Sequence, residues 1–487
     1  MQDFLSLLNG IFFGLYAMAL FVVAGGILTV RTGFLQFRRF RVIMSETIGS
    51  IRERNLVRGS GQITPFQATM VALSGTVGAG NITGVATALL IGGPGAIFWM
   101  WVIALLGMAT KFAEATLAVH FRQLFNDGSV SGGPMYYLSR GLKLPWMGTL
   151  WAALTLGAAF GIGNLTQIST FSETLVSAFN IPTALIGMGA ALLVLVTIGG
   201  GIVRIARFSQ VAFPLMLVIY AVTTLGVIIA NITHLPSALA SIFGGAFGLA
   251  QVGGGVAGYA IMQVLKAGLG RGIFSNEAGF GSSAVAHAQA QVDHPVRQGF
   301  WGAFEVFLDT FVINTLTALA VLSVPDILQT TGGTAAQLMV DAVTSVGGLS
   351  GVWSALLALS IALFTLTTAM TWAFYAEEAC IYLFGDGSRW PFRLLWAAVI
   401  FLAPLTTLDQ VVLVSDTLNG MMALPNLIGL LALAPLLARL VASFFNGDEY
   451  RPSDFDDFEP WWNRRKRGAV PAAASNATGS VPFDDLP

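Results

Sequence analysis

The sequence predicts an all-α polytopic membrane protein: about eleven spanning helices, ten of them a five-plus-five inverted-repeat core behind one extra N-terminal helix. Three observations lead there. Of the 487 residues, 55% are hydrophobic and only 10% charged, whereas an ordinary soluble domain carries about 25% charged residues. Apolar runs of about 20 residues, the length that crosses a hydrocarbon core, fill most of the chain. Two of those runs, five spans apart, are interrupted by glycine clusters at mid-membrane depth.

In order, the spans lie near 9–30, 65–91, 95–119, 147–178, 182–202, 208–231, 255–289, 299–324, 352–384, 391–407 and 411–444. The N-terminus has neither the basic flank nor the cleavage site of a signal peptide, so the first run is expected to be a retained helix. The Gly-rich connection 232–254 has room for a partial or re-entrant element, and 325–350 reads as an external loop with a short amphipathic helix. From about 446 the chain mixes Asp, Pro, Ala, Ser and Asn without periodicity, the composition of a disordered tail. The organisation expected is therefore 1–63 (first helix and basic loop), 64–254 (first five-helix repeat with an external loop), 255–445 (second repeat) and 446–487 (tail).

Basic residues are retained on the cytoplasmic side. Arg31, Arg38, Arg39, Arg41, Arg52, Arg54 and Arg58 follow the first span, and Arg122, Arg140, Lys143, Arg204, Arg207, Arg297, Arg389 and Arg393 recur in alternate loops. The intervening loops have none, and only Lys266 and Arg271 sit awkwardly, inside the seventh segment. The N-terminus is expected outside and the C-terminus in the cytoplasm. The stretch from Arg31 to Arg58 is either a plain basic loop or an amphipathic helix on the inner leaflet. The net charge of −1 says nothing about nucleic acid, because the charges are segregated rather than pooled, and none is assigned as a partner.

The second span reads LSGTVGAGNITGVATALL, with Gly75, Gly78 and Gly80 close together; the seventh reads GRGIFSNEAGFGSSAVAHA, with Gly272, Gly279 and Gly281 around Ser275, Asn276 and Glu277. Gly is a poor helix former, and polar residues at that depth are costly unless they line a cavity. Both segments should contain unwound backbone. Setting the first span aside, they are the first and sixth of ten, as expected if each of two five-helix units starts in a broken helix. Five is odd, so the second unit is inverted. Paired broken helices of this kind mark the binding site of secondary transporters. Freed N–H groups can hold a carboxylate, and freed carbonyls suit a hard cation. Glycine also serves plain helix packing, so the reading rests on the matched pair rather than on either segment.

Other polar positions are less decisive. Asn164, Thr166 and Gln167 can meet a substrate or bond between helices. Thr365, Thr367, Thr368 and Thr371 can face a cation or bond back to their own helix. Asp309, Asn314, Asp416 and Asn419 mark a polar interior, with a proton relay still open. Lys111 and Glu114 read as a structural pair. The four histidines (His120, His234, His287, His294) lack metal-ligand spacing, the single Cys380 cannot form an internal disulfide, and no phosphate-binding loop suggests ATP. Without a catalytic constellation the chain is not expected to be an enzyme or to carry a cofactor.

The blocks SGTVGAGNITGVATALLIGGPGAIFWMW, KFAEATLAVHFR, GGPMYYLSRGL, RGIFSNEAGFGSSAVAHA, DHPVRQG and FLDTFVINTLTAL together resemble the alanine or glycine:cation symporter family. That family belongs to the amino acid–polyamine–organocation superfamily, with the leucine-transporter-like fold. The resemblance implies sodium-coupled, in some members proton-coupled, uptake of alanine or glycine across a bacterial-type cytoplasmic membrane, with sodium as the co-transported ion and membrane lipid as the surroundings. It places the substrate at Thr76, Ala79, Gly80, Gln167, Phe274, Ser275 and Asn276. It places sodium at the carbonyls near Ser74 and Val77 and the hydroxyls of Thr367 and Thr368, and Asn81 resembles the amide of a second cation site in related folds. Two positions depart from the family's pattern: Ala79, where Thr is more usual, and Thr371, where a small Gly is more usual. Both are expected to border the pocket.

Overall fold

In the computed structural model the structure describes residues 9–12, 14–53, 59–126, 128–247, 257–330, 334–347, 350–405 and 408–460. Its principal helices are α1 (Leu15–Arg31), α2 (Pro65–Thr76), α3 (Val85–Gly92), α4 (Gly95–His120), α5 (Pro145–Ala158), α6 (Thr166–Phe179), α7 (Thr183–Gly199), α8 (Gly201–Ala230) and α9 (Leu235–Ala246). They continue as α10 (Ala257–Asn276), α11 (Ala284–His287), α12 (Pro295–Val306), α13 (Thr315–Leu322), α14 (Ala335–Thr344), α15 (Ser350–Phe384), α16 (Arg389–Leu402) and α17 (Leu408–Asn446). One small hairpin, Gln123–Leu124 against Val130–Ser131, lies between α4 and α5.

Helix starts follow local chemistry. At α2 the Thr64 hydroxyl accepts from the Gln67 N–H while the Gln67 side chain accepts from the Thr64 N–H, and Pro65 occupies the first turn; this reciprocal cap satisfies two otherwise orphaned donors. Pro145 and Pro295 likewise occupy the first turns of α5 and α12, and the His294 side chain caps α12 by accepting from the Val296 N–H. Wide turns at Ala159–Leu165 and Phe307–Asn314 join α5 to α6 and α12 to α13, making continuous spans Pro145–Phe179 and Pro295–Leu322.

Among the described residues, seven helices are long and apolar enough to cross a membrane, and eight if the bent α2–α3 pair is one span. A helix lies in every one of the predicted spanning stretches, but α7 and α16 are short and α10 carries Lys266 and Arg271. Arg271 is within electrostatic range of Asp416 on α17, which gives the awkward charge an intramembrane counterpart. The seventh stretch is not one span to residue 289: α10 ends at Asn276 and the chain turns away. α9 occupies the front of the Gly-rich connection, and 248–254 lies outside the described residues. The tail also differs from expectation in its first part. Phe455 and Phe458 are buried and Tyr450 Oη lies 2.7 Å from His120 Nδ1, because three aromatics within a polar stretch provide an apolar anchor. Residues 461–487 lie outside the described residues.

Small residues set how closely the core packs. A Cβ at Gly302 of α12 would lie 2.7 Å from the Lys111 carbonyl oxygen, and Cβ atoms at Gly268 and Gly272 of α10 would lie 2.4 Å from the Ala96 carbonyl oxygen and 2.5 Å from Ile103 Cγ2. Glycine faces on α10 and α12 therefore let both backbones touch α4, the mode of approach membrane interiors favour. Side chains reaching between these three helices meet at short range.

Candidate functional site

The two glycine-rich segments are broken where the sequence places the breaks. α2 ends at Thr76, Val77 is extended (φ −84°, ψ 100°), and the chain resumes in a wide turn at Gly80–Gly84 before α3; the two halves are bent by 57°. In the second segment, Glu277, Gly279 and Gly281 all have positive φ (51°, 104° and 80°) between α10 and α11. Left-handed backbone at two glycines carries no Cβ penalty, and Gly279 could not take a side chain in any case, since its Cβ would meet the Phe21 ring at 2.5 Å.

The first break releases specific carbonyls. The Gly78 N–H, which in a continuous helix would bond the Ser74 carbonyl, donates instead to Asn81 Oδ1 at 3.1 Å. Thr368 Oγ1 of α15 then lies 3.0 Å from Ser74 O, 3.3 Å from Val77 O and 2.8 Å from Phe364 O. A hydroxyl has one hydrogen and can satisfy one carbonyl, so oxygens outnumber donors here, the donor set of a hard cation. Thr367 is not part of this group: its hydroxyl returns to the Leu363 and Phe364 carbonyls at 2.9 and 3.0 Å, beside Met216. Adjacent helical residues diverge by about 100°, so only one of the two threonines can face the break. Thr368→Val removes the side-chain oxygen that faces the freed carbonyls and is expected to weaken binding of a hard cation there roughly 10-fold or more, the worth of a bond to a charged partner, while Thr367→Val changes it less than about twofold. A cation titration of the two variants separates them.

Around the same break, Gln167 Oε1 lies 3.5 Å from the Ala79 N–H, and Gln167 Nε2 donates to Ile162 O at 3.1 Å. A Cβ at Gly78 would lie 2.9 Å from Thr368 Oγ1 and 3.1 Å from Gln167 Oε1, whereas one at Gly80 would only touch the Phe274 ring at 3.5 Å. Ala79, Gly78, Gly80, Gln167, Phe274 and Thr368 are thus brought together. Asn276 faces the second break, where its Oδ1 accepts from the Ala278 N–H at 3.0 Å and its Nδ2 is buried without a partner. Thr371 instead packs against Gly75, its Cγ2 2.8 Å from where a Cβ would be, and its hydroxyl donates to Val71 O; it borders the helix contact below the break.

Ser275 and Asn81 belong to a second polar cluster. Asn81 Nδ2 reaches Ser275 Oγ (3.1 Å), Asn314 Oδ1 (3.0 Å) and Asp309 Oδ1, while Ser275 and Thr310 hydroxyls donate to Asp309 Oδ2 at 3.1 and 2.8 Å. Asn314 Nδ2 donates to Ser275 Oγ at 2.8 Å. All five side chains are buried, and the named partners of the Asp309 carboxylate are neutral. The wide turn at Phe307–Asn314 matters: in a regular helix residues five apart diverge by roughly 140°, but i→i+5 geometry brings them to one face. Nothing in residue spacing alone announces that turn.

A third group joins the end of α2 at the first break to α11 after the second. Glu305 Oε1 accepts from Thr76 Oγ1 (2.7 Å) and Lys111 Nζ (3.0 Å), and Oε2 lies 2.8 Å from His287 Nε2. Thr76 therefore turns its hydroxyl to Glu305. The expected pairing of Lys111 with Glu114 is replaced by Lys111–Glu305, because Glu114 is engaged by the Gly279 N–H at 2.9 Å and by Asn426 Nδ2 at 2.6 Å.

Comparisons with known proteins identify the family and the fold. The sequence profile described as "Sodium:alanine symporter family" matches residues 1–455. The chain is 36% identical over 455 residues to the sodium/alanine symporter AgcS of Methanococcus maripaludis, covering 91% of this chain and 98% of that one. It is 36% identical over 462 residues to an uncharacterized transporter of Haemophilus influenzae, 94% and 99% covered, and 36% identical over 441 residues to the probable sodium/glutamine symporter GlnT of Bacillus subtilis, 90% and 89% covered. Among solved structures, MhsT in complex with L-phenylalanine superposes with a TM-score of 0.53 at 13% identity, covering 83% of this chain and 95% of that one. A manganese transporter mutant of Eremococcus coleocola superposes at 0.51 and 13% identity, with 82% and 93% covered. At those identities the structural likeness establishes the fold, the inverted-repeat bundle of these transporters.

Proposed function

Because the chain belongs to the sodium:alanine symporter family, we propose that it couples sodium entry to uptake of a small neutral amino acid, alanine or glycine, by alternating access. The observation that supports this most is the pairing of freed carbonyls at Ser74 and Val77 with the Thr368 hydroxyl beside a glycine-lined break. Sodium takes that oxygen cluster. The substrate carboxylate meets backbone N–H groups at Ala79 and Gly80, Gln167 and Asn276 offer amides to the amino acid, and Phe274 closes over it. A small substrate suits a site where Gly78 and Gly80 leave backbone uncovered. Asn81, Ser275, Asp309 and Asn314 form a second cation site, whose buried carboxylate a sodium ion would neutralise.

The two repeats span 64–254 and 255–445, each starting in a broken segment, and lie in a cytoplasmic membrane with the N-terminus outside. Contacts between loops assigned to one side by charge support their sharing that side: Arg122 donates to the carbonyls of Ser60, Ala288 and Ala290, and Arg297 pairs with Glu46. An inside-negative potential of 100 mV supplies about 2.3 kcal/mol per charge, roughly 1.7 tenfold steps of accumulation. Labelled alanine should accumulate in proteoliposomes when a sodium gradient is imposed at fixed pH, with glutamine as the contrasting substrate. Equal uptake with and without any cation gradient would reject symport.

A further inference from the structure

The Glu305 group contains a titratable side chain that sodium and substrate binding do not use. His287 is fully buried on α11, just after the second break. Its Nε2 lies 2.8 Å from Glu305 Oε2 and its Nδ1 lies 2.7 Å from Gln298 Nε2. A neutral imidazole fits these contacts with Nε2–H donating to the carboxylate and Nδ1 accepting from the amide. Gln298 Oε1, however, is buried without a hydrogen-bond partner. Turning that amide over presents Oε1 to a protonated Nδ1–H, so the same two partners fit either charge state of the ring.

The surroundings are rich in carboxyl groups. From α4 come Lys111 and Glu114, from the break Glu277, from α12 Glu305 and from α15 the Tyr375 hydroxyl; α2 contributes no titratable group. Among the described residues, Lys111 is the one ammonium facing the carboxyl groups of Glu305, Glu114 and Glu277, and Asp309 of the wide turn Phe307–Asn314 is a further carboxyl within electrostatic range of Glu305 and Glu277. Buried carboxylates in excess of cations are costly, and imidazole is the side chain that ordinarily takes up a proton between about pH 5 and 8.

We propose that His287, held between Glu305 and Gln298, is a proton-binding site that is thermodynamically linked to sodium binding at the first break. The link runs through Glu305 to Thr76, whose hydroxyl it holds at 2.7 Å and which lies between Ser74 and Val77 on the same broken segment. A proton at His287 and sodium at Ser74, Val77 and Thr368 draw on the same local negative charge, so each weakens the other, and by reciprocity the factor is the same in both directions. At an effective dielectric of about 20, a unit charge roughly 10 Å from a cation site changes its affinity by about tenfold. The inference rests on the symport reading above.

The test is sodium-activated alanine uptake by the full chain in proteoliposomes at pH 8, 7 and 6. The sodium concentration for half-maximal uptake should rise about 3- to 10-fold from pH 8 to pH 6 in the native protein and stay within about twofold in His287→Gln. Gln298→Met keeps the imidazole but removes the reversible amide, so it should move the midpoint of the pH transition. A flat native profile, or a full shift retained in His287→Gln, would overturn the proposal. If His287→Gln fails to insert, an unmoved midpoint in Gln298→Met overturns it instead. Sodium dependence at pH 8 alone reports on symport, so its loss is read separately from a flat pH profile; it would remove the symport reading and this linkage together.

Discussion

Gly78→Ala should lower sodium-driven uptake roughly 10- to 100-fold while the protein still inserts and folds. The added methyl would sit 2.9 Å from Thr368 Oγ1 and 3.1 Å from Gln167 Oε1, closer than carbon and oxygen pack without displacement. Relieving such overpacking typically costs about 1–3 kcal/mol, which at about 1.4 kcal/mol per decade is a 5- to 150-fold penalty. That cost falls on function because the two displaced groups are the hydroxyl facing the freed carbonyls and the amide facing Ala79. Gly80→Ala is the control. Its methyl meets only the Phe274 ring at 3.5 Å, so it should retain uptake within a few-fold, and only larger side chains there should block the pocket. Equal sodium titrations for Gly78→Ala and the native protein would refute the placement of the cation site.

These two glycines also show what the sequence reveals and what it conceals. The broken segments are legible because glycine clusters and polar residues at membrane depth have few other physical justifications, and their matched positions imply the repeat. Which glycine is pinned by neighbours is not legible, because Thr368 and Gln167 reach Gly78 from helices distant in sequence. The same holds for Thr367 and Thr368, where both residue types fit a cation and only the rotation of α15 selects one. Lys111 and Glu114 look like a pair at helical spacing, yet the glycine faces of α10 and α12 admit Glu305 and the Gly279 N–H and rearrange the partners. The tail's aromatic anchors were in plain view at Tyr450, Phe455 and Phe458, but composition averaged over a polar stretch conceals three residues.

Asp309→Asn should have the second large effect, and it tests the cluster that sequence spacing leaves unresolved. Asp309 is fully buried and surrounded by the amides of Asn81 and Asn314 and the hydroxyls of Ser275 and Thr310. An isolated carboxylate at this depth is several kcal/mol unfavourable unless neutralised, by a cation or by a proton. Asparagine keeps the shape and an acceptor oxygen for Asn81, so the fold should survive, and relief of a buried charge should leave thermal stability equal or higher. If sodium is the neutralising ion, the variant loses a charged ligand: half-saturation should rise about 10-fold or more, and the sodium activation curve should become less steep as one ion drops out. If Asp309 is instead a neutral structural carboxyl, Asp309→Asn should match the native protein in both half-saturation and steepness. Measuring both quantities together with thermal stability distinguishes these outcomes, because a merely destabilised variant would lose stability without a change in the steepness of its sodium response.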